Sequence, residues 1–102
     1  MESWILYENG STIGKKGSEN GKIICDEEYL GSCRITLEET KSIPYSITCG
    51  VYGLMCHTAF SKTELDAKEK YECMKKELKD FIDADIEETD EVNWVESFVE
   101  KW

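Results

Sequence analysis

Residues 44–60 read P-Y-S-I-T-C-G-V-Y-G-L-M-C-H-T-A-F, without an acid, a lysine or an arginine, in a chain that is 33% charged. A stretch of this kind is mostly buried in any water-soluble fold. Tyr45, Ile47, Cys49 and Val51 alternate with Ser46, Thr48, Gly50 and Tyr52, which is the period of a strand with one covered face. Pro44 stands where a strand can begin. Beyond Gly53 both faces are apolar, and two strands joined near residues 50–53 account for this; the alternative is a single strand bent at its glycines.

Upstream, the pattern is also one of strands. Trp4-Ile5-Leu6-Tyr7 runs into Glu8-Asn9-Gly10-Ser11, where Asn-Gly supplies the positive φ angles of a tight hairpin turn, so Thr12 and Ile13 are expected to start the return strand. Residues 14–21 hold three glycines and no apolar side chain, a composition that predicts a mobile loop ending in a second Asn-Gly turn. Residues 22–29 read as strand, Leu30-Gly31 as a turn, and Cys33, Ile35 and Leu37 alternate with Arg34, Thr36 and Glu38 in a half-buried strand.

Downstream, the period changes to that of a helix. Ser61 and Glu64 form S-x-x-E, a capping box, and Phe60 is placed to staple onto Leu65. Ala67, Tyr71, Met74, Leu78, Phe81 and Ile82 fall within an arc of about 100°, the width of a stripe laid on a core, and Cys73 lies off it. After an acidic linker over residues 83–89, a second helix over residues 90–102 is expected, capped by Thr89 or Asp90. It carries two adjacent stripes, Val92-Val95-Val99 and Trp94-Phe98-Trp102. One stripe suffices for packing on the domain and leaves the other for a second protein; the alternative buries both in the monomer.

Strands over residues 3–60 followed by helices define an α+β fold. The expected architecture is an antiparallel sheet of four to six strands with the C-terminal helices on one face. Its 102 residues fit a single domain. The formal net charge is −10, and its placement is uneven. Residues 83–102 carry eight acids and one lysine, residues 61–82 balance six against six, and residues 1–60 carry eight acids against five Lys or Arg. Such a surface repels phosphate backbones and anionic lipid, so neither nucleic acid nor membrane is an expected partner. Five cysteines, an odd number, and an M-E-S-W start without a basic or apolar leader predict a reducing cytoplasm and free thiols. Asn9-Gly10-Ser11 is read as a turn in that setting, and not as a glycosylation acceptor.

The residues with reactive chemistry are few. Cys56 and His57, the only histidine, have zinc-ligand side chains, but C-x-x-C spacing is missing and neighbours on a strand point to opposite faces, so no metal or cofactor is expected. A cysteine nucleophile needs a base, and only sheet pairing could bring Cys33 or Cys49 to His57. Asp26 and Glu28 share a face of one strand, which reads as a solvated edge. Gly14-Lys15-Lys16-Gly17-Ser18 does not satisfy the phosphate-loop pattern and has no following helix. It is the only clustered positive charge in the first half, suited to an acidic partner or to the chain's own tail.

Two function classes follow. The first is a non-enzymatic protein-binding module of inhibitor or adaptor type, engaging a basic partner or a second copy of itself near the acidic, aromatic C-terminal helix. The second is a small-ligand or enzymatic domain with a pocket near Tyr45, Tyr52, Cys56 and His57. No spaced catalytic constellation is present, which favours the first. The candidate binding residues are Trp94, Phe98, Trp102, Tyr52 and His57; no catalytic residue is named.

Overall fold

The fold comes from a computed structural model that describes residues 4–102. Residue 3, where the strand region was expected to begin, lies outside the described residues. Five strands, β1 (Trp4–Leu6), β2 (Lys22–Tyr29), β3 (Cys33–Glu39), β4 (Tyr45–Val51) and β5 (Met55–Ser61), precede two helices, α1 (Glu64–Ala84) and α2 (Glu88–Lys101). The strands form one antiparallel sheet in the order β1-β2-β3-β4-β5. The architecture is α+β, with both helices on one face.

Register explains which face they cover. Cys25, Leu37, Ile47 and Ala59 are aligned across β2 to β5, as are Glu27, Ile35, Cys49 and His57, and Tyr29, Cys33, Val51 and Met55. Cross-strand partners share a face, and most of these are apolar and buried. Against them α1 lays Ala67, Tyr71, Met74, Leu78 and Phe81, the stripe expected from the sequence. Met74, Leu78 and Phe81 each contribute about 1.5–3 kcal/mol on burial. Cys73, off the stripe, is exposed. Polar bonds fix the helix against β2: the Tyr71 hydroxyl donates to Glu27 at 2.8 Å, Lys75 bonds the same oxygen, and the Tyr29 hydroxyl donates to Asp83 at 2.6 Å.

The start of α1 differs from the expected one. Ser61 is the last residue of β5, and Thr63 is the N-cap, its Oγ1 accepting the Asp66 N–H at 3.2 Å. Ser61 instead donates its hydroxyl to the Asp66 carboxylate at 2.6 Å. The capping pattern is therefore T-x-x-D, two residues later than S-x-x-E, because β5 keeps its pairing with Tyr45 as far as Ser61. Phe60 and Leu65 are both exposed and form no staple. The linker is shorter than the expected residues 83–89, because α1 runs to Ala84 and α2 begins at Glu88. Asp85 closes α1 in the left-handed region, and α2 opens after Glu87 without a side-chain cap from Thr89 or Asp90.

The N-terminal hairpin is also different. Glu8 (φ 47°), Asn9 (φ 59°) and Gly10 (φ 83°) are all left-handed, but no return strand starts at Thr12. Residues 11–21 fold back over the helix-free face, and β2 begins at Lys22. This loop is tied down: Gly14 N–H bonds the Ile23 carbonyl, Ile23 N–H bonds that of Lys15, and Gly17 N–H bonds that of Gly21. Gly17 is required there, since a Cβ would stand 2.3 Å from the Glu38 carboxyl carbon. The turn at Asn20-Gly21 is formed, with Asn20 left-handed.

Candidate functional site

Two surfaces remain for function, one on each side of the sheet. The helix-free face is made by Asp26 and Glu28 of β2, Arg34, Thr36 and Glu38 of β3, Ser46, Thr48 and Gly50 of β4, and Cys56, Thr58 and Phe60 of β5. It is more polar than the covered face, and its polar groups are largely paired with one another. Asp26 is 0% exposed and accepts from Arg34 Nε (2.9 Å), Arg34 Nη2 (2.7 Å), Thr12 Oγ1 (2.8 Å) and Thr36 Oγ1 (3.1 Å). These bonds satisfy a carboxylate that would otherwise be costly to bury. The Asp26 hydrogen bond raises the pKa of the Arg34 guanidinium further, which also lies 3.6 Å over the Tyr7 ring. Glu38, equally buried, accepts from Gly21 N–H at 3.1 Å and Glu19 N–H at 3.2 Å. The solvated edge strand expected at Asp26 and Glu28 is thus an interior strand, because β1 pairs with its outer side.

Between the folded-back loop and β3 to β5 lies a groove of about 770 Å³. Its floor is Thr36, Thr48, Gly50 and Cys56, one wall is Lys15 to Ser18, and the far end is the turn of Tyr52, Gly53 and Leu54. Lys15 and Lys16 make no ion pair among the described residues, so neither lysine is paired with the acidic tail. Tyr52 donates to Glu28 at 2.6 Å, and partial burial together with that bond pushes its hydroxyl well above the ordinary tyrosine range.

The four residues expected around one pocket are divided by the register. Cys56 and Tyr52 line the groove, whereas His57 and Tyr45 sit on the helix-covered face. There His57 is the cross-strand partner of Cys49 and meets the Phe98 ring edge-on at 6.3 Å between centroids. Its Nε2 is buried without a hydrogen-bond partner. Sheet pairing does bring Cys49 to His57, but desolvation pushes the Cys49 thiol up to about 12 and the Cys33 thiol to about 11, so neither supplies a thiolate near neutrality. Among the described residues no three His, Cys, Asp or Glu side chains converge on a metal-sized site.

The second surface is α2. Its aromatic ridge faces inward: Trp94 stacks between Phe81 (4.1 Å) and Phe98 (4.9 Å), Phe98 is 2% exposed, and Trp102 donates its indole N–H to Glu77 at 3.2 Å. The valine stripe is split: Val92 (58%) and Val99 (40%) face outward, and Val95 is half-buried. Around it stand Glu88, Asp90, Glu91, Glu96 and Glu100, none of which pairs with a cation among the described residues. On α1 the reverse holds. Lys68, Lys70, Lys75, Lys76 and Lys79 each meet an acid. What sequence reasoning missed is the pairing of Asp26 with Arg34, which crosses between strands; the signal was a lone arginine at an alternating strand position.

No helix among the described residues is long and apolar enough to cross a membrane. Compared with known proteins, the chain matches no family model, no curated protein and no solved structure.

Proposed function

We propose that this chain is a non-enzymatic protein-binding module of inhibitor or adaptor type, acting in the cytoplasm, whose acidic C-terminal helix engages a basic protein partner. One observation carries the reading: the acids of α2 are unpaired among the described residues, and all but the half-buried Glu91 are exposed, beside two exposed valines, while the lysines of α1 are all neutralised within the helix or by β2. Uncompensated charge of one sign around an apolar centre suits a partner of opposite sign, since such a field raises the encounter rate and apolar burial supplies affinity. Trp94, Phe98 and Trp102 hold the helix in place, and Val92 and Val99 make the contact.

The test compares the full chain with a variant in which Glu88, Glu91, Glu96 and Glu100 are changed to glutamine. Proteins captured from the source cytoplasm are identified, and the affinity of each for both chains is measured by calorimetry at low and high ionic strength. A basic partner should bind the unchanged chain more tightly, with affinity falling as salt rises. Equal binding to both chains would overturn the reading.

A second reading is favoured by the groove, whose volume lies in the range of roughly 300–1,000 Å³ typical of small-molecule sites and whose rim carries unpaired Lys15 and Lys16. A small anionic ligand would suit it. Gly50→Val should then abolish any thermal shift given by a panel of anionic compounds, because a side chain at Gly50 projects into the groove and a Cβ there meets only ordinary contact, 3.4 Å from the Met55 carbonyl oxygen.

A further inference from the structure

The two edges of the sheet are unlike. β1 spans three described residues, whereas β5 spans seven, Met55–Ser61, with no charge, no proline and no register shift against β4. Long edges are ordinarily guarded by charge, proline or bulges, because a row of unpaired N–H and C=O groups templates another strand. The direction of those groups in β5 follows from the ladders beside it. At the two ends of the β3–β4 pairing, Thr40 N–H bonds the Pro44 carbonyl and Tyr52 N–H bonds the Ser32 carbonyl. The backbones of even-numbered residues in β4 therefore face β3, and those of Tyr45, Ile47, Cys49 and Val51 face β5. Their partners Ser61, Ala59, His57 and Met55 face back. The backbone groups of Cys56, Thr58 and Phe60 thus point away from the sheet. Thr48 Oγ1 and Thr58 Oγ1 lie 3.1 Å apart, as expected where non-hydrogen-bonded partners bring side chains close. Among the described residues only the Phe60 carbonyl is occupied, by Lys70 Nζ at 2.9 Å.

We infer that β5 accepts an added strand from a basic, extended segment of the partner protein. This rests on the proposed function and names its docking site. The occupant follows from charge. The helix that bears the unpaired acids lies over β5, where Phe98 meets His57, so side chains of an added strand on that face enter a negative field. On the other face they meet Cys56 and Phe60, both exposed. A segment alternating basic and apolar residues matches both faces. A second copy of this chain does not, since each copy has a net charge of −10 and would bring its own acidic helix to the junction.

The probe is a blocked octapeptide of alternating lysine and valine, set beside the same peptide with alternate backbone amides N-methylated. Both are titrated into the full chain, with amide exchange followed by NMR. The unmethylated peptide should slow exchange at Cys56, Thr58 and Phe60 by at least about tenfold. Methylation should weaken binding at least about tenfold, as loss of two backbone hydrogen bonds predicts. Thr58→Pro should have the same effect on the unmethylated peptide, because the N–H it removes faces outward and β4 pairing is kept. If that variant does not fold, the comparison of the two peptides carries the test. Equal binding of both peptides, with no exchange effect in β5, overturns the strand-addition site and leaves capture by α2 standing. Binding of neither peptide at low ionic strength overturns both. Slow exchange at these amides in the free chain, with a dimer in sedimentation, makes the occupant a second copy and also overturns the inference.

Discussion

Arg34 closes on both oxygens of the Asp26 carboxylate, Nε on Oδ1 and Nη2 on Oδ2, across neighbouring strands. Asp26 has no access to water, so removing its partner leaves a buried charge, whereas removing both leaves none. Arg34→Leu should destabilise the chain by about 3 kcal/mol in urea unfolding. Asp26→Leu added to Arg34→Leu should recover part of that loss, limited by the Thr12 and Thr36 hydroxyls that lose their acceptor. A double variant less stable than the single one would refute the account.

Thr63 rather than Ser61 caps α1. Thr63→Ala should cost about 1 kcal/mol, and Leu65→Ala, at an exposed position, should change stability by less than about 0.5 kcal/mol. Chemical denaturation of the two variants separates the capping register seen here from one in which Phe60 staples Leu65.

Asp83 has its pKa lowered by the bonds from Lys79 and Tyr29. A carboxylate depressed in the folded state binds fewer protons than in the unfolded state near pH 4, so its contribution is present above the unfolded value and is lost as pH falls through the folded one. Asp83→Asn should therefore flatten the fall in stability between about pH 5 and pH 2. Unfolding free energies measured across that range check the sign.

The inward ridge of α2 makes a sharp contrast between neighbours. Phe98→Ala should cost about 3–5 kcal/mol and Val99→Ala less than about 0.5, because one is buried and the other faces water. A chain ending at Ala84 should be destabilised, since Phe81 and His57 lose the rings of Trp94 and Phe98. Equal effects at Phe98 and Val99 would place the helix in a different phase.

Local pattern carried the sequence reading a long way where one face decides the matter. The alternation of Tyr45, Ile47, Cys49 and Val51 and of Cys33, Ile35 and Leu37 located β4 and β3, and the stripe from Ala67 to Phe81 set the phase of α1. Where two local solutions are nearly equivalent, pattern did not choose. Ser61 and Thr63 each stand three residues before an acid, and the cap fell to Thr63 because β5 pairs as far as Ser61. Both stripes of α2 are apolar, and the ridge that turned inward is the one whose rings stack on Phe81 and meet His57 edge-on. Asp26 read as solvated because charge in a strand is ordinarily so; its burial depends on Arg34, Thr36 and Thr12, which the register and the folded-back loop supply. Tyr52, Cys56 and His57 are close in sequence, and strand alternation sends the histidine to the opposite face from the cysteine.

Every strand in the sheet pairs with the strand next to it in the chain. Loop closures from β2 to β5 therefore span only residues 30–32, 40–44 and 52–54, and the entropy lost in each is small. Contact order is correspondingly low for a sheet protein, so pairing can proceed hairpin by hairpin without waiting for distant segments. During synthesis the four strands from β2 to β5 emerge before either helix, and the apolar face they share stays open until α1 follows. A chain built in this order depends on rapid arrival of its C-terminal third. Slowing translation after Ser61 should expose the half-finished sheet and raise its tendency to aggregate.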